Sequence, residues 1–233
     1  LILLSGVNYY TGQFYDIKSI AKLASQHDCM IGLDLAHAAG NVILYLNNWN
    51  IDFASWCGYK YLNGGPGAPS GVFIHEKHHD KNLNRFEGWW GHNKETRFNP
   101  PDKFQPINNV EAWQLSNPPI LSMAALRSSL KLFDEIGITM LREKSEKLTS
   151  YLEYLIQSLE NKDISIITPK NINERGSQLS LQINSKNLNI QKFLSTNNII
   201  CDFRKPNVLR VAPCAFYNSY HDVYNFVDAL KSL

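Results

Sequence analysis

Short apolar runs separated by one amphipathic segment set the tightest limit on what this chain can fold into. "LILL" opens it at Leu1–Leu4. "CMIGLD" follows at 29–34, "DFASWCGYK" at 52–60 and "SGVFIH" at 70–75. Between the first two runs lies "DIKSIAKLASQH", with Ile17, Ile20, Ala21 and Ala24 at helical spacing and Asp16 placed to cap it. Strand, helix, strand in that order predicts an α/β unit with a mostly parallel sheet. Ligands of such sheets bind beyond the carboxyl ends of the strands. Asp34 and Lys60 each close an apolar run, so both are expected at such ends.

The rest of the chain reads differently. Residues 77–118 are polar, aromatic and proline-bearing, as in a long ordered loop region. Two helices are predicted next, one over about 119–135 and one with Leu148, Leu152, Leu155 and Leu159 on one face. The tail reads as strands "ISIIT" and "QLSLQI", helix "IQKFLST", strands "IICDF" and "VLRVA", and helix "YHDVYNFVDALKSL". The expected organisation is therefore part of a large α/β domain over 1–118. Connecting helices and a small α+β C-terminal domain follow over 119–233. The apolar opening "LILLSGVNYY" has no initiator methionine and no lead-in, which reads as the back part of a longer protein.

Composition excludes some classes. With 23 basic and 21 acidic residues the net charge is only +2, so bulk electrostatics give no case for a nucleic-acid partner. Hydrophobic residues at 44% suffice for a packed core. The four cysteines follow no short repeated spacing, as expected of reduced thiols in a cytoplasmic protein. No apolar run approaches membrane-spanning length, so no membrane partner is expected.

Lys60 is the one charged residue between Phe53 and Tyr61, and a glycine-rich turn follows it. A partly desolvated amine can form a Schiff base with a carbonyl compound, most commonly pyridoxal phosphate. That cofactor also needs a carboxylate on its pyridine nitrogen. Asp34, at the end of an earlier strand, is placed to supply it, and His37 follows three residues on. Taken singly, the three have ordinary readings: a snorkelling lysine, a helix-capping aspartate, a hydrogen-bonded histidine. "GGPGAPSG" is not a phosphate-loop pattern and serves a tight turn equally well. "HEKHH" at His75–His79 formally matches a zinc motif. On a strand, however, its first and fourth following residues would lie roughly 13 Å apart, so no metal site is expected. In "GWWGHNK", Trp90 reads as packing.

The segments "GVNYYTGQFYDI", "GLDLAHAAGNV", "DFASWCGYKYLNGGPG", "GWWGHNKETRF", "QLSNPPIL", "ERGSQLS" and "LRVAPCAFYNSYHDVY" span nearly the whole chain. In type and order they resemble the kynureninase family, pyridoxal-phosphate enzymes of fold type I with the class V aminotransferase pattern. The resemblance covers that family's C-terminal half to two-thirds. It does not reach the N-terminal part, which supplies a phosphate-binding loop and an aromatic that stacks on the pyridine ring. It implies C–C bond hydrolysis of kynurenine or 3-hydroxykynurenine, in tryptophan catabolism and NAD biosynthesis, by a homodimer with shared active sites.

By the same resemblance Lys60 carries the cofactor, Asp34 pairs with the pyridine nitrogen, and Tyr59 bonds the phosphate and takes part in proton transfer. Ser5 and His37 lie in the cofactor site, and Trp89 and Asn117 reach it from the neighbouring subunit. Arg210 grips the substrate α-carboxylate, with Tyr10 nearby. One departure is Gly58, where the family pattern leads us to expect serine. The rival readings are another class V enzyme, such as a cysteine desulfurase, and a non-catalytic remnant. A desulfurase would want a nucleophilic cysteine on an exposed loop, and none of the four cysteines has an obvious one.

Overall fold

The computed structural model describes residues 1–99, 102–184 and 190–231. Its contacts divide the chain into two units. One comprises Leu1–Ser5, Ile17–Ala36 and Leu44–Lys131; the other comprises Gly6–Asp16, His37–Ile43 and Leu132–Leu233.

The first unit holds a four-stranded sheet of β1 (Ile2–Ser5), β2 (Ile31–Asp34), β3 (Phe53–Trp56) and β4 (Gly71–Ile74), in that spatial order. The first three strands are parallel, as the strand–helix–strand order requires. α1 (Ile17–Gln26) buries Ile17, Ala21 and Ala24, the apolar stripe read from the sequence. β4 runs antiparallel to β3. The reason lies in the connection, which carries left-handed backbone at Asn63, Gly65 and Gly67 and no helix that could return the chain for a parallel strand. β3 also stops at Trp56, so Lys60 sits on the turn beyond the strand rather than on its last residue.

Asp52, just ahead of β3, ties this sheet together at the ends opposite Asp34. Its carboxylate accepts the Ile31 N–H at 2.7 Å, the Lys77 ammonium at 2.8 Å and His78 Nε2 at 2.7 Å. Burial alone would raise its pKa. Lys77, the Ile31 N–H and His78 together outweigh that and hold the carboxyl below its ordinary value. A depressed carboxyl pKa means stability that is present above the unfolded value and lost as pH falls through the folded one. Asp52→Ala is therefore expected to destabilise the protein by about 2 kcal/mol at pH 7, since it leaves the Ile31 N–H and the buried His78 ring without their acceptor, while the half-buried Lys77 ammonium keeps Asn50. In denaturant titrations the gap to wild type should narrow below the ordinary aspartate value of about 3.9. Coincident unfolding curves at pH 7 would contradict this role.

In the second unit β5 (Ile164–Ile166), β6 (Leu179–Ile183), β8 (Val208–Val211) and β7 (Asp202–Arg204) form an antiparallel sheet in that order. α3 (Ile138–Ser158) and α5 (Tyr220–Leu230) pack on it through Leu148, Leu152, Ile156, Leu181, Leu209, Val223, Phe226 and Leu230. Leu148 and Leu152 are fully buried, while Leu155 and Leu159 flank them. A Ser219–Asp222 capping box starts α5. The remaining helices are α2 (Ile120–Ile136) and α4 (Ile190–Thr196).

The run "IICDF" enters its strand later than its apolar residues suggest. The chain turns at Asn198 with φ of +57°, and the Ile199 N–H bonds back to the Leu194 carbonyl at 2.9 Å. Ile199 and Ile200 thus belong to the exit from α4. The last two residues of the expected C-terminal helix, Ser232 and Leu233, lie outside the described residues. Among the described residues no helix is long and apolar enough to cross a membrane.

Candidate active site

Ser5, Asp34 and Ser55 stand in register across the carboxyl ends of β1, β2 and β3. Asp34 follows three buried residues and is itself exposed. Its Oδ1 accepts the Ala36 N–H at 2.8 Å and so closes a turn; no helix begins there, so Asp34 is not the helix cap that a lone aspartate suggests. That bond fixes the carboxylate while leaving it open to solvent.

Lys60 lies half-buried on the turn that leaves β3, next to Tyr59, with its Nζ 5.9 Å from the Tyr59 ring centre. The turn is firmly closed. Gly64 N–H donates to the Gly58 carbonyl at 2.9 Å, Asn63 N–H to the Lys60 carbonyl at 3.0 Å, and Ser129 Oγ of α2 to the Leu62 carbonyl at 2.6 Å. Gly58 has a local reason. A Cβ there would fall 2.3 Å from the Pro69 carbonyl oxygen, so this backbone has no room for the expected serine.

The Tyr59 phenol is exposed. Hydrogen bonding to the Cys57 thiol, and the negative charge that thiol can carry, push its pKa up. Tyr59 is therefore an O–H donor at neutral pH, the form that suits a phosphate oxygen.

Trp89 and Asn117 also lie in the first unit. Trp89 meets Trp90 edge-on at 5.3 Å, and the Arg97 guanidinium covers both rings at 5.4 and 4.9 Å. Trp90 thus shares a built cluster, as packing requires. Asn117 is exposed just before α2.

The histidines of "HEKHH" do not lie on a strand. Glu76–His78 is a 3-10 turn, so the separation argued from strand rise does not apply. Each ring is engaged by its surroundings instead. His75 Nδ1 accepts the Lys77 N–H at 3.1 Å, His78 Nε2 meets Asp52, and His79 Nε2 meets the Ile74 carbonyl at 3.1 Å.

His37, Tyr10 and Arg210 fall in the second unit. The His37 ring lies 6.5 Å from that of Tyr9. Arg210 sits between Leu209 and Val211, both buried in the core, and its own side chain alternates to the other face. Asp202, paired with it across β7 and β8, bonds its guanidinium, whose Nη1 donates to the Tyr9 carbonyl at 2.8 Å. The sequence reading missed Asp202. Only the strand order places it opposite Arg210, although an acid and a base at alternating positions of two short strands is a legible sign.

Residues 141–230 match the family model described as the kynureninase C-terminal domain. The kynureninase of Myxococcus xanthus is 52% identical over 232 residues, which is 99% of this chain and 54% of that protein. The human kynureninase is 46% identical, over 100% of this chain and 52% of its own length. The chain thus spans about half the length of the relatives it matches. Among solved structures, a cystine C–S lyase bound to its product cysteine persulfide has a TM-score of 0.83 at 16% identity, covering 99% of this chain and 60% of that one. A cysteine desulfurase from Escherichia coli gives 0.80 at 15%, covering 99% and 58%. These likenesses fix the fold as that of fold type I pyridoxal-phosphate enzymes. The chain belongs to the kynureninase family and corresponds to the C-terminal part of its members.

Proposed function

We propose that the whole protein is a pyridoxal-phosphate-dependent hydrolase of L-kynurenine or 3-hydroxy-L-kynurenine, yielding L-alanine and an anthranilate. The observation that carries this reading is the Asp34 carboxylate at the end of β2, beside the strand whose exit turn bears Lys60. The donor set suits the cofactor: a fixed, exposed carboxylate, an amine on a closed turn and a phenol that keeps its proton. When bound, pyridoxal phosphate supplies the electron sink for the bond cleavage.

In this reading Asp34 holds the pyridine nitrogen protonated, and Tyr59 donates to the phosphate. Ser5 and His37 complete the contacts, and Trp89 and Asn117 serve the partner's site in a homodimer. Lys60 would hold the cofactor through its amine. The same Lys60 amine would take the proton from the substrate Cα and return it to Cα after the bond has broken. Arg210 takes the α-carboxylate, near Tyr10. The Cβ–Cγ bond breaks. Water delivers its hydroxyl to the aryl ketone carbon and a proton to Cβ.

A desulfurase would need a reactive thiol. Burial, then the charge of Asp202, pushes Cys201 up to about 11, and Cys57 is engaged with Tyr59. The deciding experiment incubates the cofactor-loaded whole protein with kynurenine and, separately, with cysteine. Equal amounts of alanine and anthranilate from kynurenine are expected. Alanine and persulfide from cysteine would favour the desulfurase reading, and no turnover of either would favour the non-catalytic one.

A further inference from the structure

Arg210 is held on two sides by its own unit. It is the central residue of a register row that runs Ser180, Arg210, Asp202 across β6, β8 and β7. Its side chain is 11% exposed. The Oδ2 atom of Asp202 accepts from both Nε and Nη2 of Arg210. Nη1 donates to the Tyr9 carbonyl.

The groups that hold Arg210 are fixed in turn. Gln178 Nε2 also donates to the Tyr9 carbonyl at 3.0 Å, Ser180 Oγ to the Tyr10 carbonyl at 2.6 Å, and Thr168 Oγ1 to the Thr11 carbonyl at 2.6 Å. Three successive carbonyls of one loop are thereby tied down, by residues that are all buried. Asp202 has a second anchor, Arg204 Nε at 3.0 Å.

A guanidinium has five N–H donors in a rigid plane. Three are spoken for here, which leaves one on each terminal nitrogen. With the Tyr9 carbonyl on the Nη1 hydrogen that faces Cδ, the remaining two match the oxygens of a carboxylate approaching end-on. We propose that Asp202 is a positioning residue: it occupies the Nε edge of Arg210 and leaves the end pair for the carboxylate of the amino-acid substrate. This rests on the reading of Arg210 as the carboxylate-binding residue. Asp202 also removes charge from the pair, so binding depends on aimed hydrogen bonds more than on net attraction. Arg204 restores one positive charge to the cluster.

The test uses the cofactor-loaded whole protein in wild-type, Asp202→Ala, Asp202→Asn and Arg210→Ala forms. Two quantities are read: KM and kcat for the amino acid, and the inhibition constant of its decarboxylated amine. In Asp202→Ala, KM should rise at least ~10-fold, kcat should change less, and the amine's inhibition constant should hold within about twofold. Asp202→Asn retains an acceptor for Nε, so it should recover part of the KM loss.

An unchanged KM in Asp202→Ala overturns the proposal. So does an equal weakening of amine and amino acid, which would mean general damage to the site. If Arg210→Ala raises KM selectively and Asp202→Ala does not, the positioning role fails while the Arg210 reading stands. If neither variant discriminates, both fail.

Discussion

Replacing Lys60 with alanine is expected to lower kynurenine turnover by at least ~10³-fold, because on the proposed function it removes both the group that would hold the cofactor and the group that would move the Cα proton. The fold should survive. The turn around Lys60 is closed by the Gly64–Gly58 and Ser129–Leu62 bonds, which do not involve the ammonium. A small external amine should recover part of the activity by taking over the proton transfer. Steady-state kinetics on the whole protein check this, and turnover within tenfold of wild type would remove Lys60 from the chemistry.

Asp34→Asn should lower kcat/KM by about 10²–10³-fold, roughly 3–4 kcal/mol of transition-state stabilisation. The amide keeps the shape but not the charge that, on the proposed function, would hold the pyridine nitrogen protonated. Asparagine Oδ1 can still accept the Ala36 N–H, so the backbone beyond β2 should not move. Cofactor should still bind, more weakly, by absorbance titration. Near-wild-type turnover in this variant would show that the ring's electronics are set elsewhere.

Local pattern singled out much of this candidate site. Asp34 was visible because an acid ends a four-residue strand whose other three residues are apolar, and Lys60 because it is the single charge in an aromatic stretch. The period-4 leucines of α3 likewise marked the core they fill. What was hidden depends on the chain's return path. β4 reads as one more strand, yet its direction follows from a connection with no helix. Gly58 looks like a lost hydroxyl, whereas its cause is a carbonyl eleven positions on in the same turn. The pairing of Asp202 with Arg210 needs the β6–β8–β7 order, which no short window contains. "HEKHH" was read by strand rise, but the strand ends at Ile74 and a tight turn takes over.

The most direct test of the central claim is chemical. The cofactor-loaded whole protein is reduced with borohydride, digested, and its peptides are mapped by mass. One pyridoxyl group is expected, on Lys60 in the peptide that contains Tyr59 and Tyr61. A pyridoxyl group on any other lysine, or none on Lys60 after full reduction, would contradict it.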